Sequence, residues 1–205
     1  MTKKGKFIVL EGGDGAGKST IADSLRSAFP KTLMTRAGGS MFGEKLRELL
    51  VSDDSISATS ESHFFLSWAM HLDHAQNIVA PALAKGVNVI SDRFDASNFA
   101  YQVRGDDAPH LAHLFWNIRK QLLKDIAPDL YIFLDVDIKE GFERAKKESR
   151  TLDHFERRPV DFHERIREGY TEFFKTVPHV IVDANRPLEE VQKEVLELVK
   201  KCLQF

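Results

Sequence analysis

The apolar run Phe7-Ile8-Val9-Leu10 leads almost directly into Gly12-Gly13-Asp14-Gly15-Ala16-Gly17-Lys18-Ser19, which fits the pattern G-x-x-x-x-G-K-[ST]. An amphipathic segment carrying Ile21, Leu25, Ala28 and Phe29 follows it. Strand, glycine-rich loop and helix in that order constrain this chain more than any other stretch. The four glycines of the loop let the backbone curl with its N–H groups inward. Amides and the positive end of the helix that begins near Lys18 can then hold a polyphosphate. Lys18 is placed to reach the outer phosphates and Ser19 to hold Mg2+. An ordinary glycine-rich turn is the weaker alternative, because the flanking strand and helix supply the context the motif requires.

Further apolar runs of strand length recur at 32–35, 87–90, 130–134 and 180–182, separated by segments long enough for helices. That alternation predicts an α/β fold: a five-stranded parallel sheet with helices on both faces, a three-layer sandwich built on the phosphate loop. The segment from about Thr59 to Lys85 reads as one long helix ended by Lys85-Gly86, with Pro81 as a candidate kink. Pro187 opens a last helix whose Val191, Val195, Leu198, Val199 and Cys202 share one face and read as core.

No repeat, low-complexity segment or flexible linker interrupts the 205 residues, which predicts one domain over 1–205. The formal net charge of −2 supplies no basic field for nucleic acid, so an anionic ligand must be met by local Lys and Arg. A single cysteine, Cys202, excludes an internal disulfide framework and suits a reducing, cytoplasmic setting. No stretch has the length of a signal core or a membrane span, so no membrane partner is expected.

A strand-loop-helix cradle for one phosphate chain invites a search for a second anionic pocket and for cations that follow moving charge. The third apolar run ends in Ser91-Asp92-Arg93, and ligands of doubly wound sheets bind at the carboxyl ends of the strands. Asp92 is the candidate to hold Mg2+ directly or through water, and Arg93 to clamp an acceptor phosphate; a structural ion pair is the plainer reading of the two. Residues 146–158 are dense in charge and poor in apolar periodicity, and read either as a solvated face or as a short basic lid. His110 and His113 lack the companions a metal site needs.

Taken together, Leu10 to Thr20, Thr35-Arg36 with Gly38-Gly39, Pro81-Ala82-Leu83, Asp92-Arg93-Phe94 with Ser97 and Ala100-Tyr101-Gln102, Pro128-Asp129-Leu130 with Leu134-Asp135-Val136, and Asp183-Ala184 with Pro187 to Val191 resemble the thymidylate kinase family of nucleoside monophosphate kinases. The resemblance spans nearly the whole chain. It implies transfer of the γ-phosphoryl group of ATP to dTMP with Mg2+, in a homodimer whose interface is made by helices.

Carried over by position, the resemblance gives the stretch Gly12, Gly13, Asp14, Gly15, Ala16, Gly17, Lys18, Ser19 and Thr20 to ATP, with Asp14 touching the acceptor sugar or ordering Mg2+. It gives the acceptor phosphate to Arg93, with Arg47 as a second candidate, and sets Tyr101 where a 2′-hydroxyl would otherwise fit. Ser97 and Gln102 border the base pocket. Because Gly15 follows Asp14, the catalytic cation is expected from the lid, with Arg150 first and Lys146 and Lys147 behind it. Arg144 is a structural or adenine-side contact, and 182–186, including Ala184 and Arg186, lies near the adenine. Asp135 and Asp137 are expected to cap the next helix.

The chain departs from the family at the base pocket. His71 stands where an Arg is usual and Ser67 where a stacking Phe is usual, so Phe65 or Trp68 is expected to take over the stacking, and His71 to donate to a base carbonyl. Asp153-His154 replaces a common Asp-Arg. Another or a modified deoxynucleoside monophosphate is therefore a second reading of the acceptor. A P-loop ATPase or a nucleotide switch is the reading from another class, although Asn-Lys-x-Asp is absent and no Asp-x-x-Gly follows a strand outside the phosphate loop itself.

Overall fold

Five parallel strands form the middle layer of the computed structural model, which describes residues 4–147 and 152–204. They are β1 (Phe7–Gly12), β2 (Leu33–Arg36), β3 (Val89–Asp92), β4 (Leu130–Asp135) and β5 (His179–Asp183), in the order β2-β3-β1-β4-β5. Around them lie α1 (Lys18–Ala28), α2 (Met41–Val51), α3 (Ser60–His74), α4 (Ala80–Ala84), α5 (Asp95–Asn98), α6 (Ala112–Leu122), α7 (Ile138–Lys147), α8 (Val160–Phe174) and α9 (Leu188–Gln204). The expected parallel sheet is present with all five strands. Each observed strand overlaps its apolar run, with ends shifted by at most two residues.

The alternation of side chains along β1 explains the layers. Phe7 and Val9 point into one core with Phe64, Phe94, Phe133 and Tyr170. Ile8 and Leu10 point into the other with Ile21, Leu25, Val191, Val195 and Val199. A central parallel strand buried on both faces must be apolar at every position, which is why these runs do not alternate with polar residues. The register sets Leu10 opposite Asp92 and Gly12 opposite Leu134, so the carboxyl ends of β1, β3 and β4 meet around the glycine-rich loop.

The long helical stretch after Thr59 begins as expected, with the Thr59 hydroxyl accepting from the Ser62 N–H. It is not one regular helix bent at Pro81. The irregularity is a π turn at Ala75–Val79, just before the proline. Pro81 has no N–H to give to the carbonyl four residues back, and widening the preceding turn accommodates that loss. A second π turn, Phe99–Gly105, follows α5 and carries Tyr101 and Gln102. At the C-terminus the Pro187 carbonyl accepts from Glu190 and Val191, opening α9 as expected, with Val191, Val195 and Val199 buried. Among the described residues no helix is long and apolar enough to cross a membrane.

Candidate active site

The loop after β1 is shaped by two glycines in left-handed backbone conformations. Gly17, at φ 81°, caps the N-terminus of α1, and Gly15 sits at φ 70°. A Cβ on Gly15 would lie 2.1 Å from the Gly141 carbonyl oxygen at the start of α7. Any side chain there collides with backbone, which is the physical reason the loop cannot carry its own arginine. Lys18 folds back so that Nζ donates to the carbonyls of Gly12 (3.0 Å) and Gly13 (2.6 Å). Burial, with Arg93 nearby, pulls its ammonium down to about 8. A bound phosphate would reverse that pull by adding negative charge beside the lysine.

Next to the loop lies a cavity of about 310 Å³. It brings together Asp14 to Thr20 from the loop, Arg47 from α2, Ser67 and His71 from α3, Asp92 and Arg93 after β3, and Ser97, Tyr101 and Gln102 from α5 and its π turn. Among the described residues Arg47 has no hydrogen bond or ion pair, and burial, with Arg36 and Arg93 near, lowers its pKa. Arg93 donates through Nη2 to Asp14 (3.3 Å) and lies over the Tyr101 ring at 5.3 Å. Asp92 has one buried oxygen, Oδ1, with no partner among the described residues. Ser19 stands exposed in the first turn of α1. A buried, unpartnered carboxylate oxygen and a hydroxyl bordering one cavity are hard oxygen donors that fit Mg2+.

His71 is buried, with its ring edge-on to Phe94 and Nδ1 without a partner among the described residues. Burial, helped by His74, pushes it down to about 3, so the imidazole is neutral at physiological pH. The two aromatic residues expected to stack on a base lie elsewhere. Trp68 is 2% exposed and packs on Phe115 in the core, while Phe65 is 54% exposed on the outer side of α3. Successive residues of a helix are turned about a third of a circle apart, so the register that presents Ser67 and His71 to the cavity sends Trp68 inward. Met70 and Phe155 fill the apolar part of the cavity wall instead.

Arg144, Ala184 and Arg186 do not line this cavity. Arg144 ties α7 to the chain after β5 through the Ala184 carbonyl (2.8 Å), and Arg186 pairs with Glu194. Among the described residues the Asp135 carboxylate accepts from no helix N–H; it receives both arms of Arg167, from Nε and from Nη2, at 2.8 Å each. Arg150 lies outside the described residues, and so does the side chain of Lys147. Lys146 is exposed and pairs with Glu143.

The described part of the 146–158 segment presents acidic and aromatic groups to the cavity: Asp153, Phe155 and Glu156. Asp153 and Glu156 exchange backbone-to-carboxylate hydrogen bonds at 2.9 Å each. Its arginines turn away, Arg157 to Asp53 and Arg158 to Asp106 and the Phe162 ring. Glu11 and Tyr170 were given no role from sequence, yet both reach Arg93 or its immediate partners. The signal for Glu11 was available: a carboxylate closing a fully apolar strand must be met by donors when buried.

A model described as thymidylate kinase matches residues 10–195. The chain belongs to the thymidylate kinase family. The thymidylate kinase of Caulobacter vibrioides is 38% identical over 209 residues, covering 98% of this chain and 98% of its own. That of Methylobacillus flagellatus is 37% identical, covering 97% and 98%. That of Halothermothrix orenii is 33% identical, covering 98% and 99%. The matched span takes in the phosphate loop, every residue that lines the cavity and the first half of α9.

Proposed function

We propose that the protein transfers the γ-phosphoryl group of ATP to dTMP, giving dTDP and ADP. The observation that carries this reading is the single cavity joining the phosphate loop to Arg93, Arg47 and a small polar pocket at Ser67, His71 and Gln102. A hydrolase or a switch needs the loop alone; a monophosphate kinase needs the second cationic pocket beside it. The names of the relatives support dTMP as the acceptor.

Transfer passes through a loose transition state, so the protein contributes position and charge rather than acid-base chemistry. The loop amides from Gly13 to Thr20 would cradle the donor phosphates, and Lys18 would leave the Gly12 and Gly13 carbonyls for their outer oxygens. Arg93 and Arg47 would hold the acceptor phosphate in line with the donor. Asp14 would orient the Arg93 fork or the acceptor sugar. Tyr101, fixed under Arg93, would stand against the sugar at its 2′ position. Ser19 and Asp92 would hold Mg2+, which when bound neutralises phosphate charge. Phe155 and its neighbours would exclude water from the cavity. The lid cation is assigned to Arg150.

Neutral His71 can both donate to and accept from a base edge, and does so without its charge changing near neutral pH. Ser67 leaves room beside it that a larger residue would fill. A modified pyrimidine acceptor is therefore the second reading, carried by this pair.

We also assign the protein a cytoplasmic setting and a homodimeric state. The exposed apolar Leu49 of α2, Phe65 of α3 and Leu114 of α6 are the positions a helical interface would cover. ADP release from Mg-ATP, measured with and without dTMP for wild type and for Arg93→Ala, tests the reading. Release that depends on dTMP and collapses in the variant supports it; equal release without acceptor refutes it.

A further inference from the structure

We propose that Tyr170 and Glu11 are positioning residues for Arg93, locking one part of its guanidinium so that the rest is presented to the acceptor phosphate. The inference rests on the reading that Arg93 holds that phosphate.

Arg93 is a non-glycine residue at φ 65°, a left-handed conformation that is strained for a side chain and persists only where neighbours impose it. The neighbours can be named. The Arg93 N–H donates to the Leu10 carbonyl at 2.9 Å, and the Ser91 hydroxyl donates to the Arg93 carbonyl at 2.8 Å. The following turn is pinned to Glu11 of β1, whose Oε1 accepts from the N–H groups of Phe94 (2.8 Å) and Ser97 (3.3 Å). One buried carboxylate therefore fixes both ends of the turn that aims Arg93.

The other oxygen of Glu11 organises the side chain. Oε2 accepts from the Ser97 hydroxyl at 2.7 Å and from the Tyr170 hydroxyl at 3.1 Å. Those same two hydroxyls accept from Arg93 Nη1, at 3.1 Å and 2.9 Å respectively. Each hydroxyl has one proton, and giving it to ionised Glu11, directly or for Tyr170 through the Ser97 hydroxyl 2.9 Å away, leaves oxygen lone pairs facing the arginine. Both protons of Nη1 are held in this way, and Nη2 reaches Asp14. The N–H of Nε and the second proton of Nη2 give no hydrogen bond to a carboxylate or to backbone among the described residues; Tyr101 stands beside the guanidinium, and a phosphate can take up these protons.

Tyr170 comes from α8, far along the chain, and its ring is fixed by packing on Phe133 (4.9 Å) and Phe174 (6.0 Å). Burial pushes its hydroxyl well above the ordinary phenol range, so it stays protonated and able to donate. Burial likewise raises Glu11, to about 7, and Arg93 and the Ser97 hydroxyl oppose that rise.

The test is Tyr170→Phe, which keeps the packed ring and removes only the hydroxyl. Calorimetric binding of dTMP without ATP should weaken about tenfold, the scale of one hydrogen bond to a charged group. In steady state the KM for dTMP should rise similarly while the KM for ATP changes by less than about twofold. Glu11→Gln should act in the same direction, because its amide would present N–H groups to hydroxyls that now deliver protons. Unchanged dTMP affinity in Tyr170→Phe would overturn the inference, as would an equal loss of ATP and dTMP affinity accompanied by a lower melting temperature. Arg93→Ala separates the two levels. If it weakens dTMP binding and Tyr170→Phe does not, only the positioning role fails; if it leaves dTMP binding intact, the reading beneath it fails.

Discussion

Acid titration probes the surroundings of His71 directly, because that side chain is buried and held neutral. Its folded pKa is pushed to about 3, below the ordinary histidine value, so below about pH 6.5 the unfolded chain takes up a proton that the folded chain refuses. Stability from this group is thus fully present above pH about 6.5 and is lost as pH falls, by about 1.4 kcal/mol for each pH unit. At pH about 5 the loss is about 2 kcal/mol. His74, held at about 4 by burial, acts in the same direction.

Other groups run the opposite way. Glu11 is raised to about 7, so its contribution is complete below the ordinary carboxylate value and fades as pH rises through 7. His63, raised by its hydrogen bond to Asp106, also favours the folded state at low pH. The total curve therefore mixes signs, and the useful quantity is a difference. Urea unfolding of wild type and His71→Gln should be measured at pH about 7.5 and about 5. The wild type should lose about 2 kcal/mol more than the variant over that interval. Equal losses would show that His71 is solvated or paired, and would remove the argument for a neutral base-reading imidazole.

Gly15→Ala forces a Cβ to within 2.1 Å of the Gly141 carbonyl oxygen from a left-handed backbone position. It should cost more than about 2 kcal/mol in urea unfolding; an unchanged midpoint would mean the loop and α7 do not pack as described. The buried Asp95 is held by Arg119 at 2.6 Å and by Tyr131. Arg119→Ala should therefore destabilise by about 3 kcal/mol or more without altering the KM for either nucleotide. Arg150→Ala should reduce kcat at least about a hundredfold while leaving ATP binding near its original strength, and retained turnover would remove Arg150 from the mechanism.

Much of the fold was legible because its signals are local. The strands are uninterrupted apolar runs, as burial on both faces demands, and the phosphate loop combines glycine spacing with a lysine and a hydroxyl. Asp92 and Arg93 could be placed at the site because strand ends in parallel sheets converge there. What was not legible depended on rotation and on distant partners. One residue of helical register decides whether Ser67 or Trp68 meets the cavity, and the π turn at Ala75–Val79 leaves no mark in composition. The charge of residues 146–158 suggested a basic lid, yet the described part turns Asp153 and Glu156 inward and pairs Arg157 and Arg158 elsewhere. Tyr170 lies 77 residues from Arg93, a separation at which no periodicity links the two.

The central claim is tested most directly by ADP release from Mg-ATP across dTMP, dUMP, dCMP, dGMP, dAMP and 5-modified pyrimidine monophosphates, beside a control without acceptor. The account predicts turnover that requires a pyrimidine deoxynucleoside monophosphate and is fastest with dTMP. Release that proceeds equally without any acceptor would contradict it.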